Sequence, residues 1–445
     1  MVKSKQEMRE VGVKPIAYLL KEKVWITPTI YCAAAILLSL ASFYIELFVI
    51  SRFDVHIPSI FLTGVEDAQT ILGILTAAML TMTTFTFSTI LVVLTMYSSQ
   101  FSPRAPENFI RSRTTRHVLG IFLAGFIYNM LSLLYLQEDV FDHEVLTTSI
   151  GILIVFFCIG AFAYYVHFVA SNVQVSTLIN KLIEDGEDVI SYYEKLHEKD
   201  YVSLDSWKPQ GEQQTIRADK AGYIQFFDLI GLVKFAEKQE IEIDLAVKIG
   251  DYLYEGKPMI HVYHKNGKQL DFKKYYAIGD DRTAEQDLGY AIQKVIEVAI
   301  RAISPGRLDP NTCNNILIRI GPLLGRMGHL KTDGLVLTDA NENNRVLYRF
   351  SAYEDILYRT FHQISYHGKN DISVIASMTD SLLIAASLAP EERYEAIWKI
   401  QLYLLEGINE QELKSIDRNF LQQKLNDLAG LTGHPEIRIG SQSKK

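Results

Sequence analysis

Four apolar runs dominate the first 170 positions of the chain, at about residues 25–50, 68–97, 118–136 and 145–169. Each is long enough to cross a bilayer as one helix, for which about 20 apolar residues suffice. Past Val169 the pattern loosens into SNVQVSTLINKLIEDGEDVISYYEKLHEKD, where Val173, Leu178, Leu182, Ile183 and Ile190 recur at helical spacing. That predicts an amphipathic helix continuing the fourth run. A Gly/Pro-containing loop at 206–214 then opens a segment of alternating character, with Ile241, Ile243 and Leu245 on one face, Gly250 and Gly256 as breaks and Asn266-Gly267 as a hairpin signal. Such a pattern predicts a small twisted sheet or barrel. The remainder reads as helical. Leu288, Ile292, Val295, Ala299 and Ile303 make one apolar face, Pro305-Gly306 stop that helix, and Asp309-Pro310 begin the next as N-cap and first helical residue. A short β element is expected around 334–337 and 346–350, and further helices over 351–366, 372–388, 391–405 and 411–428.

The second run is the peculiar one, because it carries hydroxyls and no charge. Wound at about 100° per residue, Thr70, Ala77, Thr81, Thr84, Ser88, Val92, Thr95 and Ser99 fall on one narrow stripe, with Glu66 at its upstream mouth. Two readings are open. Small and hydroxyl residues let helices approach closely in lipid, each Thr or Ser also able to bond its own backbone one turn back. The same stripe suits the wall of an aqueous pore, whose polar groups replace part of an ion's hydration. One helix cannot enclose a pore, so the second reading requires several copies of the chain. Pro103 discourages helix at Ser102, which predicts a bend at the inner mouth with Arg104 at the lipid headgroups.

Charge orients the spans. Lys3, Lys5, Arg9, Lys14, Lys21 and Lys23 precede the first run, and Arg104, Arg111, Arg113 and Arg116 follow the second, whereas the other two loops hold Arg52, Asp54, Glu66 and Asp67, then Glu138, Asp139, Asp142 and Glu144. Both termini are therefore expected in the cytoplasm of a plasma membrane, the first run being a retained anchor. Over the whole 445 residues the net charge is −8, which argues against a nucleic-acid surface. A hydrophobic share of 48% with mean hydropathy +0.08 fits a membrane part joined to a soluble part. Cys32, Cys158 and Cys313 are too few for a disulfide framework or a metal cluster, and no cofactor is expected. His261 and His264, three apart in a strand, point to opposite faces and make a poor metal pair. The chain holds no phosphate-binding Gly loop, nucleophile elbow or His-Glu-x-x-His, so no enzyme is expected.

With the spans placed, TFTFSTILVVLTMYSSQFSPRAPENFIRSRTTRHVLGIFLAGFIYN and the later RTAEQDLGYAIQKVIEVAIRAISPGRLDP resemble the predicted bacterial membrane-protein family known as domain of unknown function twenty-two fifty-four. The chain departs from that pattern at Arg307, where an aliphatic residue is more usual. The stretch IGDYLYEGKPMIHVY looks, in shape only, like half of a barrel-sandwich module of the biotinyl or lipoyl type. The family resemblance implies architecture and no activity.

The fold expected is an α-helical membrane domain of four transmembrane helices plus a cytoplasmic α+β domain with a small β-barrel-like module. Its division is a terminal segment over 1–23, the spans over 24–170, a juxtamembrane helix and linker over 171–205, the β-rich module over 206–279, a mainly helical part over 280–430 and a polar tail over 431–445. The function expected is a homo-oligomeric, cation-permeable channel in the lipid bilayer. Thr70, Thr81, Thr84, Ser88, Thr95 and Ser99 would line its pore, with Glu66 and Arg104 at the mouths. The alternative is a membrane-anchored sensor or scaffold. That reading needs the polar groups at the ends of the 288–303 helix, Asp281, Arg282, Gln286, Asp287, Ser304 and Asp309, to converge as a ligand or interdomain site, although caps and turns account for most of them.

Overall fold

The computed structural model describes residues 25–50, 58–100, 112–137, 141, 144–172, 174–198, 202–203, 207–264, 270–307, 309–331, 334–408 and 413–439. They form two compact units, Leu20–Leu178 and Ile179–Lys445.

The first unit holds helices α1 (Ile26–Ile45), α2 (Val65–Gln100), α3 (Arg113–Tyr135) and α4 (Thr147–Asn172). Their apolar segments, Ile26–Phe48, Val65–Met96, Arg113–Tyr135 and Thr147–Ser171, are long enough to cross a membrane and match the four runs of the sequence. Helix α3 is the most enclosed and packs against each of the other three, while α2 also packs on α4. At one end Ala68, Leu72, Leu136, Phe141 and Val145 form a core with Phe43 and Leu47 against it. Thr63 and Val145 exchange backbone bonds of 3.1 and 2.8 Å there. Leu37, Leu80, Leu91, Leu153, Phe156 and Phe157 point outward and stay exposed, a surface that hydrocarbon tolerates and water does not.

The second unit opens with α5 (Val175–Glu198). Because α4 ends at Asn172, the amphipathic stretch is a helix of its own and not an extension of the fourth span. It buries Ile179, Leu182, Ile183, Val189, Ile190, Tyr193 and Leu196 at i, i+3, i+4 spacing. The strands that follow are β1 (Val202–Ser203), β2 (Glu212–Arg217), β3 (Gly222–Phe227), β4 (Glu242–Leu245), β5 (Tyr252–Leu253), β6 (Pro258–His264), β7 (Tyr276–Gly279), β8 (Leu335–Thr338) and β9 (Asn344–Tyr348). Helix α6 (Leu229–Gln239) sits between β3 and β4, capped by Asp228, whose Oδ1 accepts from the Gly231 amide at 2.8 Å. The Asn266-Gly267 turn lies outside the described residues.

Among the described residues the strands do not close a barrel. They make two open sheets, one of six strands ordered β1-β8-β9-β4-β6-β2 and one of three ordered β5-β3-β7. The barrel expectation fails because the partner of β4 is distant: β4 runs antiparallel to β6 on one side and parallel to β9, about a hundred residues on, along the other. The six-stranded sheet thus takes strands from both the 206–279 and the 280–430 stretches. His261 is half-exposed beside Gln213 and Thr215, while His264 is buried, so the two lie on opposite faces.

Helices complete the unit: α7 (Leu288–Ile303), α8 (Pro310–Gly328), α9 (Tyr353–Gly368), α10 (Ile372–Leu388), α11 (Tyr394–Glu406) and α12 (Ser415–Thr432). The apolar 372–388 stretch is a helix buried on α8 and α12. Its Asp380 takes both bonds from Lys424 Nζ at 2.6 Å. Gly321 and Gly325 let α8 and α10 nearly touch: a Cβ at Gly325 would lie 2.6 Å from Leu388 Cβ and 2.9 Å from the Ala385 carbonyl oxygen.

The turn joining β8 to β9 is wound on Asp339. Its 2% exposed carboxylate accepts from the amides of Asn341 and Asn343 at 2.9 and 3.0 Å and from Arg345 Nε at 2.7 Å. Burial alone would raise this carboxyl; Arg345 and the two Asn partners outweigh it and hold it below the ordinary value. A carboxyl depressed by folding contributes stability above its unfolded pKa, and that contribution is lost as pH falls through the folded value. Asp339→Ala is accordingly expected to cost about 2–3 kcal/mol at neutral pH and much less in acid. Melting curves of both proteins across the acidic range check it; a gap that stays constant with pH would contradict the assignment.

Candidate functional site

Helix α2 presents two opposed faces. Ala68, Leu72, Met79, Thr86, Ile90 and Val93 are buried against α3 and α4. Thr70, Ala77, Thr81, Thr84, Ser88, Val92 and Thr95 are all exposed, and at 100° per residue they centre about 180° from the buried row. Glu66 is also exposed, one turn before Thr70 in the first turn of α2. Among the described residues the stripe therefore stands away from the rest of the first unit from Thr70 to Thr95. Ser99's side chain and Arg104, with the expected bend at Pro103, lie outside the described residues.

The hydroxyls themselves are oriented. Thr70, Thr81, Thr84 and Thr95 each donate to the carbonyl four residues back, at 3.1, 2.9, 2.9 and 2.9 Å. With the proton spent on the backbone, what each hydroxyl turns outward is lone pairs. The stripe is thus a column of acceptors. Phe85 and Phe87 flank it, Phe85 meeting Phe162 of α4 edge-on at 6.0 Å.

A second polar group lies inside the first unit, near the end of the first apolar run. Glu46 is only 3% exposed, at the point where α1 closes in a π-helical turn, Glu46–Ile50. Its Oε1 accepts from the Thr147 amide at 2.5 Å, the open N-terminus of α4. Around it Ser42 Oγ pairs with Tyr128 OH at 3.2 Å, Ser39 Oγ with Ser132 Oγ at 3.4 Å, and Tyr128 OH donates to the Thr147 carbonyl at 3.5 Å. This network ties α1, α3 and α4 together at one end. An acid near the end of an apolar run is easily taken for loop, and no local signal distinguishes the two. Glu46→Ala is expected to destabilise the unit by about 1–3 kcal/mol by leaving the Thr147 amide unmet, and Glu46→Gln, which keeps an acceptor, by less. Thermal unfolding in detergent ranks them, and equal losses would contradict the capping role.

The polar residues around α7 do not converge. Arg282 bonds Asp287 through Nε at 2.5 Å and Nη2 at 3.0 Å, while Asp287 Oδ1 caps α7 by accepting from the Tyr290 amide at 3.0 Å. Burial pushes the Asp287 carboxyl up from its ordinary value, against the pull of Arg282 and that amide. Gln286 braces β3, exchanging bonds with the Phe227 backbone at 3.0 and 3.3 Å, and Gln225 Nε2 donates to the Asp281 carbonyl at 2.8 Å. Ser304 and Asp309 sit at the other end of the 16-residue helix, about 24 Å away at 1.5 Å per residue. There Ser304 Oγ donates to the Ile300 carbonyl at 2.8 Å, and Asp309 caps α8 through Thr312. The six residues fall into two groups at opposite ends of α7 and form no common site.

Four apolar helices with a separate α+β unit define a helical membrane protein. The chain belongs to the family described as "Predicted membrane protein (DUF2254)", which it matches over residues 21–383. It is similar to uncharacterized proteins of Mycobacterium tuberculosis and Mycobacterium bovis, at 25% identity over 318 residues, 68% of this chain. The chain spans 60% of the length of those curated relatives. No solved structure matches it.

Proposed function

We propose that the protein is a homo-oligomeric ion channel of the bacterial plasma membrane, permeable to cations, whose pore is walled by the exposed face of α2 from each copy. The observation that carries this reading is the opposition of the two faces: among the described residues of the first unit, the hydroxyl row points away from the helices that α2 packs against. Lipid gains nothing from such a row, whereas water and partly dehydrated ions do. The back-bonded threonines offer acceptors and withhold donors, which favours cations, and a ring of Glu66 at one mouth adds to that preference. The lysine and arginine distribution in the loops supports cytoplasmic termini, and hence a cytoplasmic second unit that serves assembly or sensing. No catalytic reaction is assigned to it.

A second reading has a specific observation in its favour. Back-bonded hydroxyls also suit close helix packing, so the same face of α2 would hold copies of a membrane-anchored scaffold together without conducting. Purified protein in liposomes under potassium, sodium and chloride gradients separates the two. The channel reading expects potassium and sodium flux exceeding chloride flux; absence of flux in every gradient and at every voltage favours the scaffold.

A further inference from the structure

The second unit contains an open cleft of about 250 Å³ between α7 and α9. Both helices line it at i, i+3, i+4, i+7 spacing: Gly289, Ile292, Gln293 and Ile296 from one, Ile356, Arg359, Thr360 and Gln363 from the other. Ile292, Ile296 and Ile356 are buried and make an apolar floor. The rim is cationic and rich in donors. Arg359 is exposed and forms no ion pair among the described residues. Arg282 lines the far end beside Ser351, with Nε and Nη2 held by Asp287. No carboxylate belongs to the lining; Glu297 and Asp287 stand behind it, on Gln293 and Arg282.

The rim also carries a planar platform. Tyr358 and His362 stack at 4.9 Å with 20° between their rings, and Tyr358 is 45% exposed. His362 Nδ1 lies 2.8 Å from Tyr403 OH.

We propose that this cleft binds a phosphorylated ring compound of nucleoside-monophosphate size, its phosphate on Arg359 and its ring over the Tyr358–His362 stack. A guanidinium fork matches the oxygens of phosphate in pairs, and the lining holds no carboxylate to oppose its charge. The apolar floor and stacked rings require a planar body, which bare phosphate lacks. The volume of about 250 Å³ falls just below the usual range of ligand pockets, which suits one ring system with one phosphate and not a dinucleotide. The site stands independently of whether α2 conducts.

The test is calorimetric titration of the full chain in phosphatidylcholine nanodiscs, which present no anionic headgroup, with AMP, UMP, adenosine and inorganic phosphate. AMP and UMP are expected to bind at least about tenfold more tightly than either adenosine or inorganic phosphate, a difference well within reach of one charged contact or one stacked ring. Arg359→Gln is expected to weaken AMP about tenfold or more, and Arg359→Lys by less. Gln363→Glu, an exposed change that sets a carboxylate on the rim, is expected to weaken AMP as well. Lys399→Gln, an exposed cation on α11 outside the cleft, should leave binding unchanged. Three results overturn the proposal: no heat with AMP or UMP into the millimolar range, inorganic phosphate binding as tightly as AMP, or equal AMP affinity in the Arg359→Gln, Gln363→Glu and unaltered proteins.

Discussion

Ser88→Trp is expected to abolish ion flux through the reconstituted protein while leaving its expression, unfolding temperature and oligomeric state unchanged. Ser88 is exposed midway along the stripe of α2, so an indole there meets no atom buried in the chain's own bundle. In an oligomer the same indole appears once per copy at one level of the pore. A narrow channel walled by serine and threonine has no room for a ring of tryptophans. The scaffold reading expects something different: a bulky residue in a close helix contact splits the oligomer and leaves flux at its original background. Light scattering beside the flux assay reads both outcomes from one preparation.

The largest expected loss of stability belongs to Gly325→Leu in the second unit. The added Cβ alone would stand 2.6 Å from Leu388 Cβ and 2.9 Å from a main-chain oxygen of α10, so side-chain rotation cannot relieve it. The two helices must separate, and Gly321 one turn earlier on α8, with a hypothetical Cβ at 2.9 Å from the Ser381 oxygen, separates with them. Overpacking of this kind costs about 3 kcal/mol, a large fraction of the 5–15 kcal/mol typical of a folded domain. Denaturant melts followed by the fluorescence of Trp398, buried on α11 of the same unit, measure the loss. A change below about 0.5 kcal/mol, the scale of an ordinary surface substitution, would show that the contact between α8 and α10 is looser than its geometry.

What the sequence exposes, and what it hides, follows from how far each interaction reaches along the chain. The four spans need only their own composition, so their bounds fall within a few residues of the apolar runs. The stripe on α2 is legible for the same reason, since 3.6 residues per turn decides which side chains share a face. Asp380 marks the apolar 372–388 segment as a helix of the second unit, and its pairing with Lys424 is the physical counterpart of that reading. The sheets are another matter. Alternation identifies β4 and β6, yet nothing local says that β4 also pairs with β9, and without that partner the strands around 240–279 suggest closure on themselves. Helix α6 is hidden in the same stretch. LIGLVKFAEKQ follows directly on a strand, and its one start signal is the cap Asp228. The polar residues around α7 look like one cluster only because a helix brings its two ends close in number; along its axis they are about 24 Å apart. Glu46 is a single letter in an apolar run, and only the fold gives it Thr147 as a partner.

Contact of the outer face of α2 with water can be read by cysteine accessibility. In a chain whose Cys32, Cys158 and Cys313 are first replaced, Thr81→Cys, Thr84→Cys and Ser88→Cys report from the stripe, and Leu80→Cys and Leu91→Cys from its flanks. A charged, membrane-impermeant thiol reagent is expected to modify the three stripe positions in reconstituted protein and to spare both flanking ones. Stripe positions that stay unmodified while the protein remains folded would contradict it, leaving α2 sealed against lipid or a neighbouring helix.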